Sequence, residues 1–92
     1  MIPKRNATEL LQAAINTFNK RGCVYGDAND HYHALAKLQS AFFSTERTPR
    51  DVTLADALEK LDRAQRVDPD TEEFRDSLLD AINYIAITWE VS

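Results

Sequence analysis

Apolar residues recur at intervals of three and four along most of the chain. That spacing stacks side chains on one side of an α-helix and does not alternate them across a strand. Leu10, Leu11, Ala14, Ile15 and Phe18 make the first set. Asn6 stands three residues before Glu9, which predicts a capped helix start. The helix is expected to run to about Lys20 and to stop at Gly22, with Lys20 and Arg21 suiting the negative end of its dipole. The segment CVYGDAND then reads as a turn, and Asp27 or Asn29 can cap a second helix with the face Ala34, Leu35, Leu38 and Phe42. Thr48-Pro49-Arg50-Asp51 writes a third start, followed by Leu54, Ala57, Leu58, Leu61 and Ala64. Val67-Asp68-Pro69 ends that helix, because a residue before proline is pushed out of the helical region. Asp70 or Thr71 caps the last helix, whose apolar arc is Phe74, Leu78, Ala81, Ile82, Ile85 and Trp89.

Four helices joined by short turns predict an all-α fold, a four-helix hairpin pair or bundle, in one domain spanning residues 1–92. Two glycines and three prolines among 92 residues, with 43% hydrophobic residues, fit regular structure better than disorder. A chain this short buries only about 60–65% of its unfolded surface when it folds alone. The stripes are wide, and Tyr84 and Ile87 lie off the main one. Completion of the bundle by a homo-oligomer is therefore expected.

The formal net charge is −4 and the pI is near 5.0, so no overall basic field exists for nonspecific nucleic-acid binding. The start MIPKRNATELL lacks a signal-peptide core, and no apolar run approaches the roughly 20 residues of a membrane span. The lone Cys23 has no internal disulfide partner and reads as a packed thiol. Together these features predict a soluble protein of the cytoplasm.

On the last helix Glu73, Asp76, Asp80 and Asn83 gather opposite Leu78 and Ile82. Such a stripe is the wet face of an amphipathic helix, or it is a set of carboxylates one turn apart that can hold Mg²⁺. If it lines a pocket, its like charges need compensation from Lys60, Arg63 or a divalent cation. The third helix carries Asp56 with Lys60, Glu59 with Arg63 and Asp62 with Arg66, each acid four residues before its base. That is the favoured order for surface pairs. Lys60 and Arg63 are also candidates for a phosphate group. His31 and His33 point about 200° apart on a helix and cannot share a metal. A capping or packing role for His31 and an exposed His33 are expected. No glycine-rich phosphate loop or Ser/His/Asp set is present.

The succession RGCVYGDANDHY, LEKLDRAQR and RDSLLDAINYIAI resembles a family of small all-helical domains of tailed phages and prophages of the nucleotide-modification-associated kind. The motifs fall on Tyr25 and Gly26, on Lys60 and Arg63, and on Asp76, Asp80 and Tyr84. Those domains look like distant relatives of the MazG-type nucleotide pyrophosphohydrolases, which oligomerise and bind Mg²⁺ with clustered acids. Glu73-Phe74-Arg75-Asp76 fits the later acidic motif of that class, and Glu59-Lys60-Leu61-Asp62 echoes the first without its doubled Glu. Val24 stands where the phage family usually has Asp. The resemblance implies a nucleotide or nucleotide-derived ligand on Lys60, Arg63, Tyr84 and Tyr25, with Mg²⁺ on Glu73, Asp76 and Asp80. It implies slow or absent hydrolysis. The alternative is a noncatalytic helical module that modulates a host protein or sequesters a signalling nucleotide.

Overall fold

The Thr48 hydroxyl accepts the Asp51 amide at 3.2 Å, and the Asp51 carboxylate accepts the Thr48 amide at 2.9 Å. With Pro49 at the first helical position, this closes the capping box that the sequence predicts. Asp27 accepts the Asn29 amide at 2.8 Å, Thr71 accepts the Phe74 amide at 3.2 Å, and Asn6 accepts the Thr8 amide at 2.8 Å. Each cap satisfies an amide that the first turn leaves without a partner. The structure, a computed structural model, describes residues 5–25 and 27–92; the side chains of Cys23, Val24 and Tyr25 lie outside what it describes. Four helices follow: α1 (Ala7–Tyr25), α2 (Ala28–Phe43), α3 (Pro49–Arg66) and α4 (Glu72–Val91). Among the described residues there is no strand, and none of these helices is long and apolar enough to cross a membrane. The packing expected of Cys23 and the ligand role expected of Tyr25 fall on side chains outside the described residues.

α1 does not stop at Gly22 but runs on to Tyr25. Glycine permits a helix end without imposing one. Nothing stands within 4 Å of the place where a Gly22 Cβ would sit, so no contact at that position calls for a stop.

α3 and α4 form an antiparallel hairpin. Its register is fixed by three contacts: Arg50 to Ser92 at 3.3 Å, the Thr53 and Thr88 hydroxyls at 2.7 Å, and Lys60 to Asp80 at 3.5 Å. Thr53, Ala57 and Ala64 of α3 and Ser77 and Ala81 of α4 are buried, and so are the larger Val52, Leu79, Asn83 and Val91. The Thr53 hydroxyl is within 3.2 Å of the Pro49 and Arg50 carbonyls, and Thr88 Oγ1 lies 2.7 Å from the Tyr84 carbonyl. The polar atoms at this seam are therefore satisfied where water is excluded. α2 crosses one end of the hairpin, where Tyr32 and Ala36 pack with Val52 and Val91 over Leu35, Tyr84 and Ile87. α1 packs on α4, with Ala14 1% exposed.

The large apolar residues expected to form the core behave otherwise. Leu54, Leu58 and Leu61 of α3 stay exposed, as do Ile85 and Trp89 of α4 and Leu38 and Phe42 of α2. Each helix carries two apolar sides. Within one chain the alanines of these stripes are buried while many of the leucines beside them are not; among the large residues Tyr32, Val52, Leu79 and Val91 are covered. The surface pairs of α3 are also fewer than expected. Asp62 and Arg66 meet at 3.1 Å, whereas Lys60 turns across the hairpin to Asp80.

The turn after α2 contains Ser44 at φ 55°, a positive φ in a residue other than glycine. Left-handed backbone costs an L-residue roughly 1 kcal/mol, and glycine in place of serine adds roughly 0.5 kcal/mol of unfolded-state freedom. Ser44→Gly is expected to raise stability by about 0.5 kcal/mol in urea denaturation, the relief of strain outweighing the entropy term. An unchanged or lowered midpoint would show that the turn is unstrained.

Candidate functional site

Asp80 projects from the middle of α4 on the side that faces α2, with its side chain 19% exposed. Its position one turn before Tyr84 gives the two one stripe, and Ile87 and Val91 continue it into the core under α2. The Arg21 guanidinium donates to Asp80 Oδ1 at 3.3 Å, and the Lys60 ammonium stands 3.5 Å from Oδ2. One carboxylate thus joins α1, α3 and α4. Helical spacing places Arg21 on the same stripe of α1 as Ala14 and Phe18.

Behind this cluster lies a cavity of about 770 Å³. Phe18 and Ile87 give it an apolar floor, Tyr32 and Tyr84 two phenols, and Arg21, Lys60 and Asp80 a charged wall. Asp27, His31 and Glu90 complete the rim. His31 stacks edge-on against Tyr32 at 4.8 Å between centroids, while His33 bonds through Nδ1 to the Asn29 carbonyl at 2.7 Å. The lining counts two cations, Arg21 and Lys60, against three carboxylates, Asp27, Asp80 and Glu90. With His31 neutral, the pocket carries one net negative charge.

Burial dominates the titration of the groups around the cavity. It pushes the Tyr32 phenol up to about 12, helped by the charges of Tyr84 and Asp56 and opposed by Arg21. Tyr84 is raised by burial and then by Asp56 and Asp80. Both phenols therefore remain protonated donors at neutral pH. The Asp56 carboxyl is raised by burial and by Glu59, against the pull of Lys60 and His31. Asn83 is 7% exposed, and its Nδ2 has no hydrogen-bond partner among the described residues. It lies between this cavity and a second, apolar groove of about 560 Å³ along α1 and α4. A buried donor without a partner costs of order 1–3 kcal/mol.

The residues singled out in the sequence separate into two groups. Lys60, Asp80 and Tyr84 meet at the cavity. Asp76 points to solvent, 68% exposed, with Arg75 at 3.8 Å; Glu73 and Arg63 are also exposed and do not line the cavity. Glu73, Asp76 and Asp80 do not form one cluster: among the described residues no three His, Cys, Asp or Glu side chains stand where they could hold a metal ion. Arg21, Tyr32 and Asp56 were not anticipated as site residues. The steps of four and three from Ala14 through Phe18 to Arg21 would have found Arg21, and the four-residue step from Asp56 to Lys60 marks a shared stripe.

A family model described as a domain of unknown function, DUF6378, matches residues 9–92. The chain belongs to the DUF6378 family. No curated protein and no solved structure matches it. The match in this DUF6378 chain takes in all four helices nearly whole, and so every residue of the cavity described above.

Two expectations follow for the charged groups. Asp80→Asn should cost about 1 kcal/mol, because it leaves Arg21 and Lys60 side by side without their shared acceptor. Asp76→Asn should stay within about 0.5 kcal/mol of the parent, as exposed changes do. Equal effects of the two in chemical denaturation would sink the placement of Asp80. For Asp56 the folded pKa is raised, so its contribution is full below the unfolded pKa and is lost as pH rises through the folded one. Asp56→Asn should therefore melt above wild type at pH 7, and the gap should close as pH falls through the carboxylate range. A gap independent of pH would contradict the burial of that carboxyl.

Proposed function

We propose that this DUF6378 chain is a phage-encoded, MazG-like or degenerate MazG-like domain of the host cytoplasm that binds a nucleotide or nucleotide-derived ligand together with Mg²⁺. The observation that carries the reading is the convergence of Arg21 and Lys60 on Asp80 at the wall of a cavity lined by Tyr32 and Tyr84. Two cations from different helices suit phosphate oxygens, and tyrosine rings suit the flat face of a base. Protonated phenols and the unpartnered Asn83 amide offer hydrogen-bond donors to a ligand carbonyl.

Charge decides the form of the ligand. A bare polyphosphate would enter a pocket that is already one charge negative, whereas Mg²⁺ brings its own compensation. Mg²⁺ is commonly held by one or two carboxylates plus phosphate oxygens and water. Asp80 alone fits that mode; a cage built from protein groups does not fit the described residues. When bound, the ion would supply charge neutralisation for the phosphates. The thin donor set favours binding over turnover, since phosphoryl chemistry needs metal ions and water held in fixed positions. The exposure of Asp76 and Arg63 favours the noncatalytic alternative in one respect, because those groups are free to meet a partner protein.

Titration calorimetry of the full chain with nucleoside triphosphates, with and without Mg²⁺, tests the reading. Binding should require Mg²⁺, Lys60→Ala should weaken it more than tenfold, and Arg63→Ala should leave it unchanged. Inorganic phosphate release should be slow or undetectable. No heat with any nucleotide under either condition would dismiss the nucleotide reading and leave the interaction module.

A further inference from the structure

From the surface that this chain leaves open, we infer that it is an obligate homodimer, joined through the side of the α3–α4 hairpin that carries Leu54, Leu58, Leu61, Ile85 and Trp89. The accessible surface is 6932 Å². A compact monomer of 10.5 kDa exposes about 5,400 Å². The excess, about 1,500 Å² per chain, lies within the range of obligate homodimer interfaces, which bury roughly 1,000–2,500 Å² on each side. Shape agrees. The radius of gyration is 14.9 Å against about 12 Å for a compact chain of this length, and the extents are 51 × 28 × 19 Å. The chain is elongated and thin, and the leucine side of the hairpin is left uncovered.

The uncovered side is a stripe on each helix of the hairpin. Leu54, Leu58 and Leu61 follow one another at steps of four and three, and Leu78, Ile82, Ile85 and Trp89 at four, three and four. Leu58 is 65% exposed, Ile85 54% and Trp89 86%. No charged residue falls in either stripe. The groove between α1 and α4 borders the surface, with Leu11 and Ile15 beside Ile82 and Trp89 and with Glu90 at its edge.

A second copy is the occupant this surface fits. Steps of three and four are the spacing by which helices interlock with helices, and an antiparallel hairpin docked on its own two-fold mate makes a four-helix bundle. An uncharged apolar patch is complementary to itself, as an isologous interface requires. Each chain has a net charge of −4, so two copies can approach only through a face that keeps the acids away. Asp56 and Asp80 of the hairpin stand on the cavity side, off both stripes.

Trp89 is the chain's single tryptophan and reports on the seam directly. Light scattering of the full chain at tens of micromolar should give twice the 10.5 kDa of one chain. The Trp89 emission should be blue-shifted there and should move to the red on dilution, together with the loss of mass. Leu58→Glu should weaken association more than tenfold while the circular dichroism stays helical. Leu38→Glu, on the equally exposed side of α2, should leave the dimer intact. A wild-type chain that is monomeric at that concentration would overturn the inference and assign the face to another partner. A dimer that survives Leu58→Glu, or one whose Trp89 emits as in water, would overturn it equally. Should Leu58→Glu fail to fold, the wild-type mass and the Trp89 dilution series still decide.

Discussion

The seam between α3 and α4 determines where everything else can go. Ala57, Ala64, Ser77 and Ala81 hold the two backbones close, and the Thr53 and Thr88 hydroxyls tie the open end of the hairpin. Helices that meet through such small residues leave no room for Leu or Ile between them. Their larger side chains are driven to the two broad sides of the hairpin, and those sides differ in kind. One receives α2 and the cavity, with Val52, Tyr84, Ile87 and Val91 beneath Tyr32 and Ala36. The other carries leucines, an isoleucine and a tryptophan in the open.

The starts of the helices were legible from sequence, and their faces only in part: Ala14, Ala57, Ala64 and Ala81 of the predicted stripes are buried, whereas many of the larger residues beside them are not. Thr48 with Asp51, Asp27 and Thr71 cap as the local pattern says, because a cap is an exchange between a side chain and an amide two or three residues away. Gly22 misled, since a glycine signals only a permitted stop. The choice of buried face is a tertiary matter. A helical wheel gives weight to bulk and selects Leu58, Ile85 and Trp89 as core, whereas the chain buries the alanines beside them. Both apolar sides are present in the sequence, and periodicity alone cannot say which is covered from within the chain.

Reading the site met the same boundary between local and long-range contact. Lys60, Asp80 and Tyr84 were recognisable as chemistry, and they do line one cavity. Their partners were not recognisable. The four-residue rule pairs Lys60 with Asp56, but the hairpin offers Asp80 in a half-buried setting where a charge pair is less screened than at the surface, and that contact is the one made. Asp76, one turn earlier on α4, keeps its carboxylate in water for want of any helix above it. Two aspartates of the same apparent stripe thus have different surroundings, because the stripe curves around α4 while its neighbours cover only part of its length.

Asp80 also accounts for how a pocket with more acids than bases can still hold two cations in place. Its two oxygens are divided between Arg21 and Lys60, so three charges from three helices are satisfied at one point. That point is where α1 is tied electrostatically to the hairpin, and it lies in the wall of the cavity. On the proposed reading, Arg21 and Lys60 would hold the phosphate oxygens, and Asp80, freed from them, would hold the ion. Such an exchange would replace two ion pairs by three and leave neither Asp80 nor the two cations without a partner, which would keep the cost of desolvation low. A phosphate arriving without its metal would strand Asp80, and a metal without phosphate would strand Arg21 and Lys60. On that reading the two components would be coupled through one side chain, and each would bind far better in the presence of the other than alone.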